Sequence, residues 1–129
     1  MKPKVILTGI FALSLIGCAN KPSEVFFSED YDQRIARLTE AIAQNPESPF
    51  NYSYRGDAYY RKGEYDLAIR DYTKAIELNP AIAEAYTNRG KAYYAKGLHI
   101  QAIQDWEEAV RLDPNDQAAQ HALHSARGM

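Results

Sequence analysis

The sequence predicts an all-α fold, an α-solenoid of stacked helical hairpins. Residues 55–80, RGDAYYRKGEYDLAIRDYTKAIELNP, return 34 residues later as RGKAYYAKGLHIQAIQDWEEAVRLDP at residues 89–114. Within each copy, apolar or small residues recur at intervals of three and four positions, which is the spacing of one helix face. Units that repeat at a fixed period of this size stack on one another, because none of them buries its apolar face alone.

Each repeated unit is predicted to be a helical hairpin with a glycine at its corner. Gly63 lies between the two helical patterns, and the pair Asn79-Pro80 ends the second pattern. With the corner at Gly63, antiparallel geometry pairs Gly56 with Ala68. The aromatic pairs on either side of it are Tyr52 with Tyr72 and Tyr59 with Tyr65. We expect a close small-on-small contact in the middle of the hairpin, with aromatic rings filling the wider gaps.

Half a unit is predicted upstream of the two copies, and a capping helix downstream. Residues 31–46, YDQRIARLTEAIAQNP, align with the second helix of the repeat. Arg34 stands there where the two copies have Ala68 and Ala102, which fits a helix that no first helix approaches closely. Residues 115–128, NDQAAQHALHSARG, are polar and rich in Ala, as the last helix of a stack should be. The predicted helices are 29–44, 49–62, 65–78, 83–96, 99–112 and 115–127.

The unit resembles the tetratricopeptide repeat (TPR). The residues that match the family pattern are Tyr52, Gly56, Tyr59, Ala68, Tyr72 and Pro80 in the first copy, and Tyr86, Gly90, Tyr93, Ala102, Trp106 and Pro114 in the second. Both copies depart from the pattern at one position, where Arg55 and Arg89 replace a leucine. The resemblance implies a TPR domain at 29–129, divided into a half repeat 29–48, repeats at about 49–82 and 83–116, and a cap helix 117–127.

The start of the chain resembles the signal peptide of a bacterial lipoprotein. A basic tetrapeptide, Met1–Lys4, precedes VILTGIFALSLI, twelve residues without a charge. As a helix these would span about 18 Å, short of the ~30 Å hydrocarbon core, so a signal peptide is favoured over a membrane span. Residues 15–18, Leu-Ile-Gly-Cys, are similar to the lipobox, where a signal peptidase cuts before a cysteine whose thiol is then acylated.

The lipobox resemblance implies a signal peptide at 1–17, a lipid on Cys18 and a lipidated tether at 18–28. Two or more acyl chains hold a protein stably on a membrane. Ala19, in place of an aspartate, implies the outer membrane, facing the periplasm, in the enterobacterial type of sorting. Two other interpretations of Cys18 stay open: removal with an ordinary signal peptide cut after Ala19, and a catalytic thiol, although no nearby His would lower its pKa.

Charge and motifs argue against several classes of function. The chain has 15 Lys+Arg and 17 Asp+Glu, a net charge of −2, which becomes −4 when Lys2 and Lys4 leave with the signal peptide. Such an acidic surplus argues against a nucleic-acid partner, which requires a basic face. No phosphate-loop, nucleophile-elbow or zinc-protease motif occurs, so we expect no enzyme and no cofactor. His121 and His124 share a helix face, but two ligands alone make a weak metal site, and a polar cap surface is the preferred interpretation.

A partner-binding groove is expected where the first helices of the units line the concave side of the stack. Helical spacing projects the following residues there: Phe50, Ser53, Tyr54, Asp57, Tyr60, Arg61, Glu84, Thr87, Asn88, Lys91 and Tyr94. All of these except Ser53 and Thr87 form the predicted site, since exposed tyrosines offer large contact area at little entropic cost. Tyr60 and Tyr94 have an alternative role, packing between neighbouring units.

The resemblance does not extend to the carboxylate clamp of chaperone-binding TPR proteins, a Lys/Asn/Arg set that grips a C-terminal carboxylate. Asn88 matches one member of the set, but Ser53 and Ala118 stand where cations are expected. The sequence therefore predicts a lipid-anchored scaffold that binds a protein or peptide in the bacterial envelope, without a clamp. The alternative is a structural protein that self-associates, as a homo-oligomer, through the bare apolar face of helix 29–44: Ile35, Leu38 and Ile42, with Val25, Phe26 and Phe27 beside it.

Overall fold

The computed structural model describes residues 30–128, and these residues form helices without any strand. The helices are α1 (Tyr31–Gln44), α2 (Pro49–Arg61), α3 (Tyr65–Leu78), α4 (Ala83–Ala95), α5 (His99–Leu112) and α6 (Gln117–Arg127). Each predicted helix is present, and its ends lie within two residues of the prediction. Helices α2 and α3 form one hairpin and α4 and α5 a second, with α3 packed against α4. The predicted all-α solenoid of hairpins is therefore confirmed.

The predicted signal peptide, the lipidated Cys18 and the tether all lie outside the described residues, as do Val25, Phe26 and Phe27. Among the helices of residues 30–128, none has the length and apolar character needed to cross a membrane.

The hairpin corners lie where the sequence predicts them. Gly63 has a φ of 79° and Gly97 a φ of 82°, in the left-handed region that residues with a side chain rarely adopt. The N–H groups of these glycines donate to the carbonyls of Tyr60 and Tyr94, each at 2.9 Å, and so end the first helix of each unit. The corner glycines therefore fix the length of that helix.

The turn between units is held by the residue at the start of the next first helix. The Tyr52 hydroxyl donates to the Pro46 carbonyl at 3.2 Å, and Tyr86 makes the same bond to Pro80 at 3.1 Å. Gln120, 34 residues after Tyr86, donates its side-chain N–H to the carbonyl of the corresponding proline, Pro114. One position thus fastens every described first helix to the turn before it.

The glycine inside each hairpin gives space to an aromatic ring that the predicted pairing did not place there. A Cβ at Gly56 would lie 2.9 Å from Cε1 of Tyr72, and one at Gly90 would lie 2.5 Å from Nε1 of Trp106. The atoms nearest to the missing side chain of Gly56 therefore belong to Tyr72 and not to Ala68. The reason is that the ring of residue 72 is large enough to lie across the seam and cover the glycine.

An arginine joins three helices at each junction between units. Arg55 of α2 donates to Asp71 of α3 through Nε at 2.7 Å and Nη2 at 2.8 Å, while its Nη1 reaches Oγ1 of Thr39 in α1 at 3.1 Å. One repeat later, Arg89 of α4 makes the same bonds to Asp105 of α5, at 2.8 and 2.7 Å, and to Thr73 of α3 at 3.1 Å. This departure from the family pattern is therefore structural.

Both arginine networks are largely withdrawn from water. Asp71 and Asp105 are buried, and each guanidinium lies 5.8–5.9 Å from the ring centroids of two tyrosines of its own helix. The hydrogen bond with Asp71 raises the pKa of Arg55. Burial alone would lower the pKa of Arg89, but the hydrogen bond with Asp105 and its charge outweigh burial, so that pKa is raised as well. Both junctions consequently hold a fixed positive charge against a buried carboxylate.

We predict that Arg89→Met lowers the free energy of unfolding by ~3–5 kcal/mol, because it leaves the buried charge of Asp105 without a counter-ion. The matched control is Arg111→Met, which breaks an ion pair with Glu108 at 2.5 Å whose arginine side chain is 67% exposed. Breaking such a surface pair should change the free energy of unfolding far less, because water screens the two charges. Urea unfolding of the three proteins measures both values. Equal stability of the two variants would contradict the structural role given to Arg89.

Candidate partner-binding surface

The first helices of the two full units lie side by side and form one continuous surface. Helix α2 contacts α4 directly, in addition to the contacts that each makes with its own hairpin partner. Nδ2 of Asn88 in α4 donates to Oδ1 of Asp57 in α2 at 3.2 Å. Two residues of the predicted site, Asp57 and Asn88, are thereby brought together between α2 and α4. The name inner groove is used below for this surface of α2 and α4.

Asp57 forms the polar centre of the inner groove. Its Oδ1 also accepts a hydrogen bond of 2.6 Å from the hydroxyl of Tyr72, so one carboxylate connects α2, α3 and α4. Burial raises the pKa of Asp57, while the hydrogen bond from Tyr72 and the positive charges of Arg34, Lys91 and Arg61 act in the opposite direction. Burial and the hydrogen bond to Asp57 together raise the pKa of the Tyr72 phenol. Asp57 therefore satisfies the buried hydroxyl of Tyr72.

In the second unit, different residues fill the space beside the hairpin glycine. Trp106 takes the place of Tyr72, and its indole Nε1 donates to the carbonyl of Thr87 at 3.1 Å. No hydroxyl then requires an acceptor, and the position of Asp57 is taken by Lys91, which is exposed. The inner groove consequently has a carboxylate engaged with its own fold at one end and a solvent-facing ammonium group at the other.

The other predicted site residues differ in exposure. Phe50 is 51% exposed, Tyr54 46% and Tyr94 36%, and Arg61 and Glu84 are exposed as well. Tyr94 keeps this exposure although its ring centroid lies 4.6 Å from that of His99 and 5.7 Å from that of Trp106. The aromatic surface predicted from helical spacing is therefore present on α2 and α4.

Three side chains predicted to project into the groove are instead used within the fold. Tyr60 is half-buried, with its ring centroid 5.3 Å from that of Tyr65, and packs against the core cluster of α3 and α4. Thr87 is buried, and its hydroxyl donates to Oδ2 of Asp116 at 2.5 Å. Ser53, at the same position of the first unit, has a buried Oγ without a hydrogen-bond partner in the described part of the chain. Tyr60 thus has the alternative role left open above, packing between neighbouring units, and Thr87 is bonded to Asp116, the N-cap residue of α6 in the next unit.

Tyr54 faces α1 and lines a cleft that sequence reasoning did not assign to the site. The cleft has a volume of about 270 Å³ and is lined by Arg34, Arg37, Leu38 and Tyr54. Phe50 is adjacent, since its ring centroid lies 6.4 Å from that of Tyr54. The groove aromatics of α2 and the apolar face of α1, predicted as rival surfaces, thus meet in one place. The 34-residue alignment could have indicated this cleft, because it places Arg34 and Arg37 of α1 at positions that are buried in α3.

The described residues do not gather metal ligands. Within residues 30–128, no three His, Cys, Asp or Glu side chains come close enough to hold a metal ion.

Comparisons with known proteins identify the repeats. The family description "TPR repeat" matches residues 56–97, and "Tetratricopeptide repeat" matches residues 83–116. No curated protein matches the chain.

Several solved TPR domains have the same fold. The first TPR of Spaghetti (RPAP3), bound to the HSP90 peptide SRMEEVD, is 30% identical, with a TM-score of 0.74 over 76% of this chain and 78% of that one. The second TPR domain of human RPAP3, in complex with the HSP70 peptide SGPTIEEVD, is 29% identical, with a TM-score of 0.72 over 75% and 81%. The TPR domain of Arabidopsis OM64 is 26% identical, with a TM-score of 0.75 over 76% and 81%.

We predict that Asp57→Asn raises the melting temperature near neutral pH. Burial raises the pKa of Asp57 in the folded protein above its ordinary value of 3.8, so the ionised carboxylate costs stability there. That cost disappears as the pH falls through the raised pKa toward the ordinary value, because the carboxyl becomes neutral. The asparagine keeps the acceptor that Tyr72 and Asn88 require.

Thermal melts from about pH 7 to about pH 3 measure this effect, and the advantage of Asp57→Asn should vanish at the acidic end. Tyr72→Phe serves as the comparison, since it removes the hydrogen bond that lowers the pKa of Asp57 and should steepen the pH dependence. A variant Asp57→Asn that is less stable than the natural protein at neutral pH would contradict the prediction.

Proposed function

Because the chain belongs to the tetratricopeptide-repeat family, we propose that it is a lipid-anchored scaffold that binds a protein or peptide partner in the bacterial envelope. The related TPR domains are non-catalytic interaction modules, and two of them hold peptides in their solved structures. Binding, and not catalysis, is accordingly the activity proposed for this chain.

The observation that carries the proposal is the composition of the inner groove. Lys91 and Tyr94 are exposed along α4, and Asn88 keeps part of its surface open beside Asp57. A tyrosine ring that is already fixed by packing against Trp106 and His99 offers contact area to a peptide without losing much side-chain entropy. Lys91 adds a charge that an acidic group of the partner would neutralise. This set suits a peptide lying along α2 and α4.

The chaperone peptides of the relatives end in a carboxylate, but the groove of this chain offers a poor receptor for that group. The buried Oγ of Ser53 and the methyl group of Ala118 stand where cations of a clamp are expected. Asp57 adds a carboxylate of its own to the floor of the groove. We therefore propose recognition of side chains along the peptide and not of its C-terminal end.

The anchor and the envelope location rest on the lipobox resemblance of residues 15–18. Acylation of Cys18 would keep the TPR domain close to one membrane surface, and the short tether 18–28 would limit the distance at which it meets its partner. The proposed location is the outer membrane, facing the periplasm, where a scaffold would hold components of an envelope complex together.

We predict that the double variant Asn88→Ala with Lys91→Ala stays folded and loses partner capture, with a lower melting temperature because the hydrogen bond from Asn88 to Asp57 is lost. Interface residues of this type cost ~2 kcal/mol or more in binding when truncated, and neither residue belongs to the core. The control is Lys74→Ala, which removes an exposed lysine of α3. Pull-downs from envelope extract, compared by quantitative mass spectrometry, measure capture. Identical sets of captured proteins for all three chains would contradict the groove as the binding surface.

We predict that Cys18→Ser moves the protein out of the membrane fraction or leaves it unprocessed, because the serine offers no thiol for acylation. Metabolic labelling with a palmitate analogue should give a signal for the natural chain and none for the variant. Ser14→Ala changes the apolar run without touching the cysteine and should leave both readouts as they are. A processed Cys18→Ser protein that still sediments with membranes would contradict the anchor.

A further inference from the structure

Helix α1 has the position of a second helix in the repeat. The face of α1 that corresponds to the buried faces of α3 and α5 differs from them in charge. In α3 the buried residues are Ala68, Asp71, Tyr72 and Ala75, and in α5 they are Ala102, Asp105, Trp106 and Ala109. The 34-residue register places four other residues at these positions of α1, and none of them is buried: Arg34, Arg37, Leu38 and Ala41. These four residues are called the α1 seam below.

The seams of α3 and α5 show what such a surface is built to meet. A first helix lies on each of them, and the contact is centred on an arginine of that helix, Arg55 on Asp71 and Arg89 on Asp105. In the α1 seam the aspartate is replaced by Arg37, so the polarity of the contact is reversed. Arg37 is exposed and makes no ion pair within residues 30–128. A helix lying on α1 would therefore need an acid where α2 and α4 have arginine.

We propose that the α1 seam binds an amphipathic helix of a partner protein that has an acidic residue where α2 and α4 have arginine, and that this helix takes the place of a first helix beside α1 and α2. Its apolar residues would cover Leu38 and Ala41, and a carboxylate would pair with the guanidinium of Arg37. The cleft between Arg34, Arg37, Leu38 and Tyr54 is the part of this surface that is already concave. Charge complementarity with Arg37 selects an acidic residue over a basic one at that position of the helix.

Tyr54 and Phe50 would form the second wall of this site. In the following unit, Asn88 occupies the position of Tyr54 and reaches the preceding first helix by donating to Asp57. By the same register, Tyr54 points to where the incoming helix would lie, and its neighbour Phe50 is 51% exposed. The two rings thus supply apolar contact area on the side of α2, while α1 supplies the charges.

A second copy of this chain is a poor occupant of the same surface. Its α2 or α4 would bring Arg55 or Arg89 against Arg37, which places two like charges together. Its α6 would bring Leu123 against Arg37, which leaves the arginine without a counter-ion. His124 would lie against Leu38, at the position where the full units have a glycine beside the aromatic ring. No described first helix of the chain therefore complements the α1 seam.

The test uses two peptides that differ at one residue, and the full chain as receptor. The probe is a fluorescein-labelled peptide with the sequence of residues 82–97, IAEAYTNRGKAYYAKG, carrying Arg89→Glu, and the control peptide keeps the arginine. We expect the glutamate peptide to bind at least about tenfold more tightly in fluorescence anisotropy, because it pairs with Arg37. The preference should weaken at about 1 M salt, since screening reduces the attraction.

The receptor variant Arg37→Glu should reverse the preference, and Arg37→Gln should abolish it. Arg37 is exposed, so both variants should melt as the natural chain does, and the neutral one keeps the test valid if charge reversal disturbs the fold. A receptor with Asn88→Ala and Lys91→Ala should keep the preference, which separates this site from the inner groove of the proposed function.

Absence of binding, equal binding of both peptides, or a preference that Arg37→Glu leaves unchanged would overturn the proposal. So would a full chain that sediments as a dimer and becomes a monomer on Arg37→Glu, because the occupant would then be a second copy.

Discussion

The bidentate ion pair between an arginine of each first helix and an aspartate of its hairpin partner is the interaction on which the rest of the structure depends. Arg55 and Arg89 each bind an aspartate 16 residues ahead and a threonine 16 residues behind, and so connect three consecutive helices. Apolar burial alone would let the hairpins slide against one another, because the hydrophobic effect has no preferred direction. A planar guanidinium with fixed partners on both sides holds neighbouring units in one register.

The residues at the arginine and aspartate positions of this ion pair differ between the units. These differences distinguish the two proposed binding surfaces. In α6 the arginine is replaced by Leu123, which is buried as in the general family pattern. In α1 the aspartate is replaced by Arg37, so the charge at this position of the seam is reversed, and none of the four seam residues is buried. The middle units, which have the complete network, present their first helices as a rigid inner groove.

The sequence predicted the helices and corners because their causes are local, whereas the site depends on contacts between units. The period, the glycines at 63 and 97 and the Asn-Pro turns specify each hairpin from within. The role of Arg55 could not be predicted, since its partners come from helices on both sides. Thr87 was misplaced for the same reason, because its hydroxyl bonds to Asp116 in the unit that follows. The link from Asp57 to Tyr72 and Asn88 likewise requires the side-chain geometry of three helices.

Native-state hydrogen exchange tests the central claim, that the arginine networks join the hairpins into one cooperative unit. If they do, the slowest amides of α2, α3, α4 and α5 should exchange through one opening reaction with a common free energy, and α1 and α6 should open more easily. The boundary between α3 and α4 is decisive, because Arg89 spans it by binding Thr73 and Asp105. Two separate free energies, one for α2 with α3 and another for α4 with α5, would contradict the account.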